Sequence, residues 1–174
     1  DCEGAYYLLG RSLFAAGRFQ EVIDLVDAAV HASGDDYNIY VPIINALGAL
    51  GKDDALRNMT QRRVLALEKH IAQVPDDARA RLHLALGFVI CKRPDDAARE
   101  VQFAIALRPN DANQLYNVAC VYCNMNNKAE ALAALKRAWE NGFRDAVWAR
   151  RDPDLAILHG DPDFDRLYPE RAPA

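Results

Sequence analysis

The chain has 174 residues, 51% of them hydrophobic, and a formal net charge of −4. That length suits one or two ordinary domains or one short solenoid with a real core. No segment reaches the length of a membrane span, and the acidic balance argues against a nucleic-acid or anionic-membrane surface, which needs clustered Lys and Arg. The cysteines, Cys2, Cys91, Cys120 and Cys123, are too few and too unevenly placed for a secreted disulfide framework. Reduced thiols and a cytoplasmic setting are therefore expected. The chain opens on Asp1 with no basic-then-apolar leader, and it is expected to be a segment of a longer protein.

Residues 3–36 form the first predicted repeat. Leu9, Gly10 and Leu13 mark one helix, Gly17 a tight turn, and Phe19, Val22, Val26 and Ala29 a second helix. Ser33-Gly34-Asp35-Asp36 closes the repeat and is expected to cap the next helix. Residues 37–77 form the second repeat, which is seven residues longer than the first and third. Seven residues are about two helical turns, so a longer second helix keeps its apolar face in phase. One long helix is predicted over 54–72, with Leu56, Met59, Val64, Leu67 and Ile71 inward. Pro42 falls near the start of the helix before it, where proline is tolerated.

The strongest pattern spans 78–143. When residues 78–111 are laid over 112–145, a 34-residue offset aligns Ala85 with Ala119, Ala97 with Ala131 and Ala104 with Ala138. Leu84, Phe88 and Val101 align with Val118, Tyr122 and Leu135. Small residues let two antiparallel helices cross closely, and the large ones fill the remaining volume. One such pair cannot bury its apolar face alone, so neighbours must stack. Pro75-Asp76-Asp77-Ala78 and Pro94-Asp95-Asp96-Ala97 read as the same phrase: Pro stops one helix and Asp caps the next.

These residues resemble the tetratricopeptide repeat (TPR) family. The third repeat, 78–111, reads Leu84-Ala85, Phe88, Ala97, Val101, Ala104, Pro109; the fourth, 112–143, reads Val118-Ala119, Tyr122, Ala131, Leu135, Ala138, with Phe143 where Pro is usual. The resemblance implies an all-α, right-handed TPR-like α-solenoid of four helix pairs over 1–143. A short C-terminal helical cap follows over 144–168, and 169–174 are a tail. In the cap, Asp152-Pro153-Asp154-Leu155 and Asp161-Pro162-Asp163-Phe164 each open a short helix, with Asp capping and Pro at the first helical position. Trp148, Leu155, Leu158, Phe164 and Leu167 are expected to cover the end of the array, and the chain to fray from Tyr168. Residues 110–167 also resemble the endings of TPR arrays in multidomain bacterial regulators, which implies a bacterial origin and an accessory, regulatory role.

Chemistry-bearing motifs are sparse, and no enzyme is expected. Cys120-Val121-Tyr122-Cys123 lies mid-helix rather than at a helix N-terminus, and lacks the further ligands a zinc site needs. Both cysteines read as small core residues, with a thiol-dependent redox or metal module as the alternative. No metal or cofactor is expected. His31, His70, His83 and His159 stand at no catalytic spacing.

The resemblance places the first helices of successive pairs on a concave inner face. That face is expected to bind a protein or peptide partner through Tyr7, Arg11, Phe14, Asn38, Asn45, Arg79, Leu82, Asn113, Tyr116 and Asn124, joined by Val41, Leu86 and Cys120. Aromatics supply contact area and amides bond an extended backbone. TPR proteins that grip an acidic C-terminus need Lys and Asn at set positions; Tyr7, Arg11, Pro42, Arg79 and His83 do not fit that clamp. Self-association as a homo-oligomer, or intramolecular docking, is the second reading of the same face.

Overall fold

The computed structural model describes residues 4–34 and 36–170. Among these residues the regular elements are all helical, and the chain divides into two compact units, Asp1–Pro75 and Asp76–Ala174. Asp35 of the expected cap lies outside the described residues.

The first unit carries α1 (Ala5–Ala15), α2 (Phe19–Asp24), α3 (Val26–Ser33), a 3₁₀ turn (Tyr37–Ile39), α4 (Tyr40–Ala49) and α5 (Asp53–Gln73). The single helix predicted after Gly17 is interrupted at Leu25. That residue keeps a right-handed helical backbone (φ −74°, ψ −13°), so the break is a lapse in the hydrogen-bond ladder rather than a turn. The long helix predicted over 54–72 is present as α5. Val22, Ile43, Ala46 and Leu47 form the core, with Leu13, Phe14, Phe19, Leu56 and Met59 packed on it. Helices α1 and α4 approach so closely that a Cβ on Gly10 would sit 2.7 Å from the Pro42 ring. Pro42 falls in the first turn of α4, where its missing N–H leaves no helix bond unmade.

The second unit carries α6 (Ala78–Ile90), α7 (Pro94–Leu107), α8 (Ala112–Asn124), α9 (Lys128–Glu140), α10 (Ala146–Arg151), a 3₁₀ helix (Pro153–Leu158) and α11 (Pro162–Leu167). Helix α6 pairs with α7 and α8 with α9, while α8 also packs on both α6 and α7. Ala85, Ala97, Ala104, Ala119, Ala131 and Ala138 have no exposed surface, as their place at helix crossings requires. Arg81 of α6 pairs with Glu100 of α7 at 2.6 Å, and the Gln114 side-chain amide of α8 donates to the Ala78 carbonyl at 2.8 Å.

The repeat is written into the backbone as well as the core. Asp77, Asp111 and Asp145, 34 residues apart, each accept a hydrogen bond from the backbone N–H three residues on, and so cap α6, α8 and α10. Gly17, Gly51, Lys92, Asn126 and Gly160 occupy equivalent turns with φ between 59° and 83°. At the first four, the next N–H reaches back to the carbonyl five residues earlier, as in Arg93 to Phe88 at 2.8 Å. This closes the first helix and starts its partner. The segment after Phe143 therefore keeps the register of the repeat. Its first helix is cut short because Asp152, held extended before Pro153, cannot continue it.

Three local expectations are corrected. Pro94 begins α7 instead of stopping α6, and Asp96 caps nothing: it pairs with Arg93 and Arg99. The matching phrase at 75–78 does place its Asp at a cap, so the two phrases serve opposite ends of a hairpin. Trp148 does not cover the array; it is 59% exposed. Ala149 takes the inward place on the short α10, and the preceding position points about 100° away. Tyr168 is fully buried with Leu155, Leu158 and Phe164 rather than frayed. Its carbonyl accepts from Arg150, which also pairs with Asp165 at 2.7 Å.

Candidate functional site

Each unit builds its own cavity from the side chains of its first helices. In the first unit Tyr7, Arg11, Phe14, Val41, Pro42 and Asn45 line a cavity of about 440 Å³. Tyr7 and Phe14 are half-buried, Arg11 and Asn45 exposed, and the Arg11 guanidinium lies 5.6 Å from the centre of the Tyr7 ring. Asn38 does not line this cavity. Its amide donates to Asp36 at 2.8 Å within the 3₁₀ turn.

The second unit offers the more elaborate cavity, of about 390 Å³. Helix α6 supplies Arg79, Leu82, His83 and Leu86; α8 supplies Tyr116, Asn117 and Cys120. Trp148 of α10 and Asp152 and Asp154 of the following turn complete the lining. Arg79, Leu82 and Tyr116 are thus brought together as expected of one face. Asn113 is exposed on α8 and is not among the lining residues. Asn124 stands at the margin: its side-chain amide donates to the Cys120 carbonyl at 2.9 Å and to Asp154 at 3.1 Å.

Asp152 is the hub of the polar wall. One carboxylate oxygen accepts the Tyr116 hydroxyl at 2.6 Å and the Cys120 thiol at 3.8 Å; the other accepts the Asp154 backbone N–H at 3.0 Å. Behind this wall Phe143 stacks on the Tyr116 ring, centroids 4.1 Å apart, and meets Tyr168 edge-on. Tyr116 is only 4% exposed, so it is a wall of the cavity more than a free contact. Burial pushes the Tyr116 hydroxyl and the Cys120 thiol well above their ordinary pKa ranges, and the nearby carboxylates add to both shifts. Cys123 is pushed up to about 12, chiefly by burial. Asp154 is exposed at the residue level, yet enough protein surrounds its carboxylate to raise its pKa by desolvation.

Cys120, Asp152 and Asp154 offer one sulfur and two carboxylate oxygens within 4.8 Å of one another. That donor set could hold a cation, but Asp152 already accepts three hydrogen bonds. Cys91, Cys120 and Cys123 are free thiols.

The lining residues of this cavity that sequence reasoning passed over are His83, Asn117, Trp148, Asp152 and Asp154. The Asp-Pro-Asp phrase was visible, but it signals a helix start and carries no sign that the carboxylates turn back onto α8.

No family model matches the chain. A MamA double mutant (RS-1 ArsTM) superposes with a TM-score of 0.50 at 17% identity, over 78% of this chain and 72% of that one. The fold is TPR-like. A second MamA structure aligns with a TM-score of 0.49 at 19% identity, over 82% of this chain and 79% of its own. YrrB, described as a TPR protein with an unusual peptide-binding site, gives a TM-score of 0.38 at 15% identity, over 79% and 84%. Among curated proteins, a chloroplastic protein of Arabidopsis thaliana is 29% identical over 115 residues, or 64% of this chain. The chain spans 33% of that relative's length. None of the described helices is long and apolar enough to cross a membrane.

Proposed function

We propose that this TPR array is a non-catalytic interaction scaffold whose first helices hold an extended peptide from a protein partner. The observation that carries the reading is the cavity of the second unit, where Leu82 and Leu86 stand beside Arg79, Asn117 and an exposed Trp148. Apolar and aromatic walls supply contact area, and a few convergent polar groups orient a main chain. The smaller set at Tyr7, Arg11 and Asn45 is a second contact of the same kind. The resemblance of residues 110–167 to array endings in bacterial regulators supports an accessory role beside another domain, in a bacterial cytoplasm.

A random-peptide display screen on the whole chain tests this. Selected peptides are expected to lose about tenfold in affinity with Arg79→Ala and more with Leu86→Glu, because a few central residues dominate such contacts. Helicity should be unchanged. Peptides that bind both variants as well as the parent chain would remove the cavity from the interaction.

A further inference from the structure

We propose that the cavity of the second unit receives a basic side chain, Lys or Arg, of the bound peptide, with its cationic head on the carboxylate of Asp154. This rests on the interaction reading above and names the chemistry the site selects. Three observations converge on it.

The cavity has two electrical poles. At the N-terminal end of α8, Gln114 is bonded to Ala78, which brings Arg79 beside that end. At the C-terminal end, Asn124 is bonded to Asp154. From Gln114 to Asn124 the helix rises about 15 Å, so the residues that anchor the two poles lie at opposite ends of α8. The negative pole is reinforced by the C-terminal end of α8 itself, where the helix dipole favours a cation.

The two carboxylates differ in what they have left to offer. Asp152 already accepts three hydrogen bonds, from Tyr116, Cys120 and the Asp154 N–H, which leaves about one of a carboxylate's four or so acceptor sites open. Asp154 accepts one side-chain bond, from the neutral Asn124 amide, and no Lys or Arg among the described residues pairs with it. Its raised pKa fits a carboxylate partly taken from water without a cation in return.

The apolar lining suits the stem of a long basic residue. Leu82 and Leu86 would cover methylenes, and the ring of Trp148, 59% exposed, is a platform for a cation. A divalent cation would draw on Asp152, which is already engaged three times, and on the buried Cys120 thiol, whereas a basic side chain needs only the open oxygen of Asp154.

The test is a positional-scanning array of eight-residue peptides on the whole chain, followed by anisotropy titration of the strongest labelled peptide. Lys or Arg is expected to be enriched at one position. Asp154→Asn, which keeps an oxygen for Asn124, is expected to weaken binding roughly 10- to 100-fold. Asp95→Asn, on an exposed residue in the first turn of α7, should leave binding unchanged. If peptides are captured, and lost on Leu86→Glu, but show no basic preference, the scaffold reading stands and this proposal falls. If no peptide is captured at all, both fall. If zinc chloride titration shows saturable uptake lost in Asp154→Asn and Cys120→Ser, while peptide binding ignores Asp154→Asn, the acidic pole is a metal site and the proposal is overturned.

Discussion

Three groups converge on the Asp152 carboxylate, and the helix that presents two of them also carries a second buried thiol, Cys123. Packing around α8 holds these thiols in the protonated form. In the unfolded chain a cysteine ionises near its ordinary value of 9.0; in the fold Cys123 is held up to about 12. Its folded pKa is the higher one, so its contribution to stability is complete below about pH 9 and is lost as pH climbs toward 12. Tyr116 and Tyr168, also raised by burial, add to the same alkaline loss. The melting midpoint is therefore expected to fall steadily above about pH 9, and less steeply in Cys123→Ala. In a companion labelling experiment near pH 8, among the thiols of the described residues iodoacetamide should reach the half-buried Cys91 first, and Cys120 and Cys123 only on unfolding. A midpoint flat to about pH 11, or early labelling of Cys120, would contradict this account.

At the scale of the helix pair, close approach is the controlling quantity. Gly10 and Gly48 both lie inside helices of the first unit, and each would gain helix propensity as alanine, by about 1 kcal/mol. Their surroundings differ. A Cβ on Gly10 would meet the Pro42 ring at 2.7 and 3.1 Å, and a proline ring cannot swing aside. A Cβ on Gly48 would meet only the end of Leu56 at 3.4 Å, an ordinary contact. Overpacking of the first kind costs about 1–3 kcal/mol, which offsets or exceeds the propensity gain. Gly10→Ala is thus expected to destabilise and Gly48→Ala to be neutral or stabilising, as read from urea midpoints. The same logic explains why six alanines, rather than larger apolar residues, sit at the crossings of the second unit.

Across the whole molecule, two compact units each carry their own core. In a stacked array, stability is a sum of repeat and nearest-neighbour contributions, so a defect is felt first where it is made. Leu135 of α9 has no exposed surface. Leu135→Ala should cost about 2–5 kcal/mol through the cavity left behind. Hydrogen exchange is expected to quicken first in α8, α9 and α11, with α1 and α4 less affected. Equal loss of protection at both ends of the chain would show that the array responds as a single cooperative body.

The sequence by itself determined the helical hairpins, because 34-residue periodicity in small and large apolar residues is a local signal that survives without coordinates. It likewise located the Gly17 turn and the long α5, since seven residues are about two turns and no glycine or proline interrupts them. Several candidate site residues were legible for the same reason: Arg79 and Leu82 share a face of α6 by phase, and the 34-residue offset carries Leu82 onto Tyr116 of α8. Only the tertiary structure decided where the Asp-Pro-Asp phrase points, that Trp148 faces out while Tyr168 is buried, and that the residues after Phe143 continue the repeat's register in capping and turn geometry. These depend on a six-residue helix ending before Pro153, and on side chains meeting across more than thirty residues of chain. Periodicity encodes which face of a helix is inward; it does not encode which distant carboxylate will close over that face.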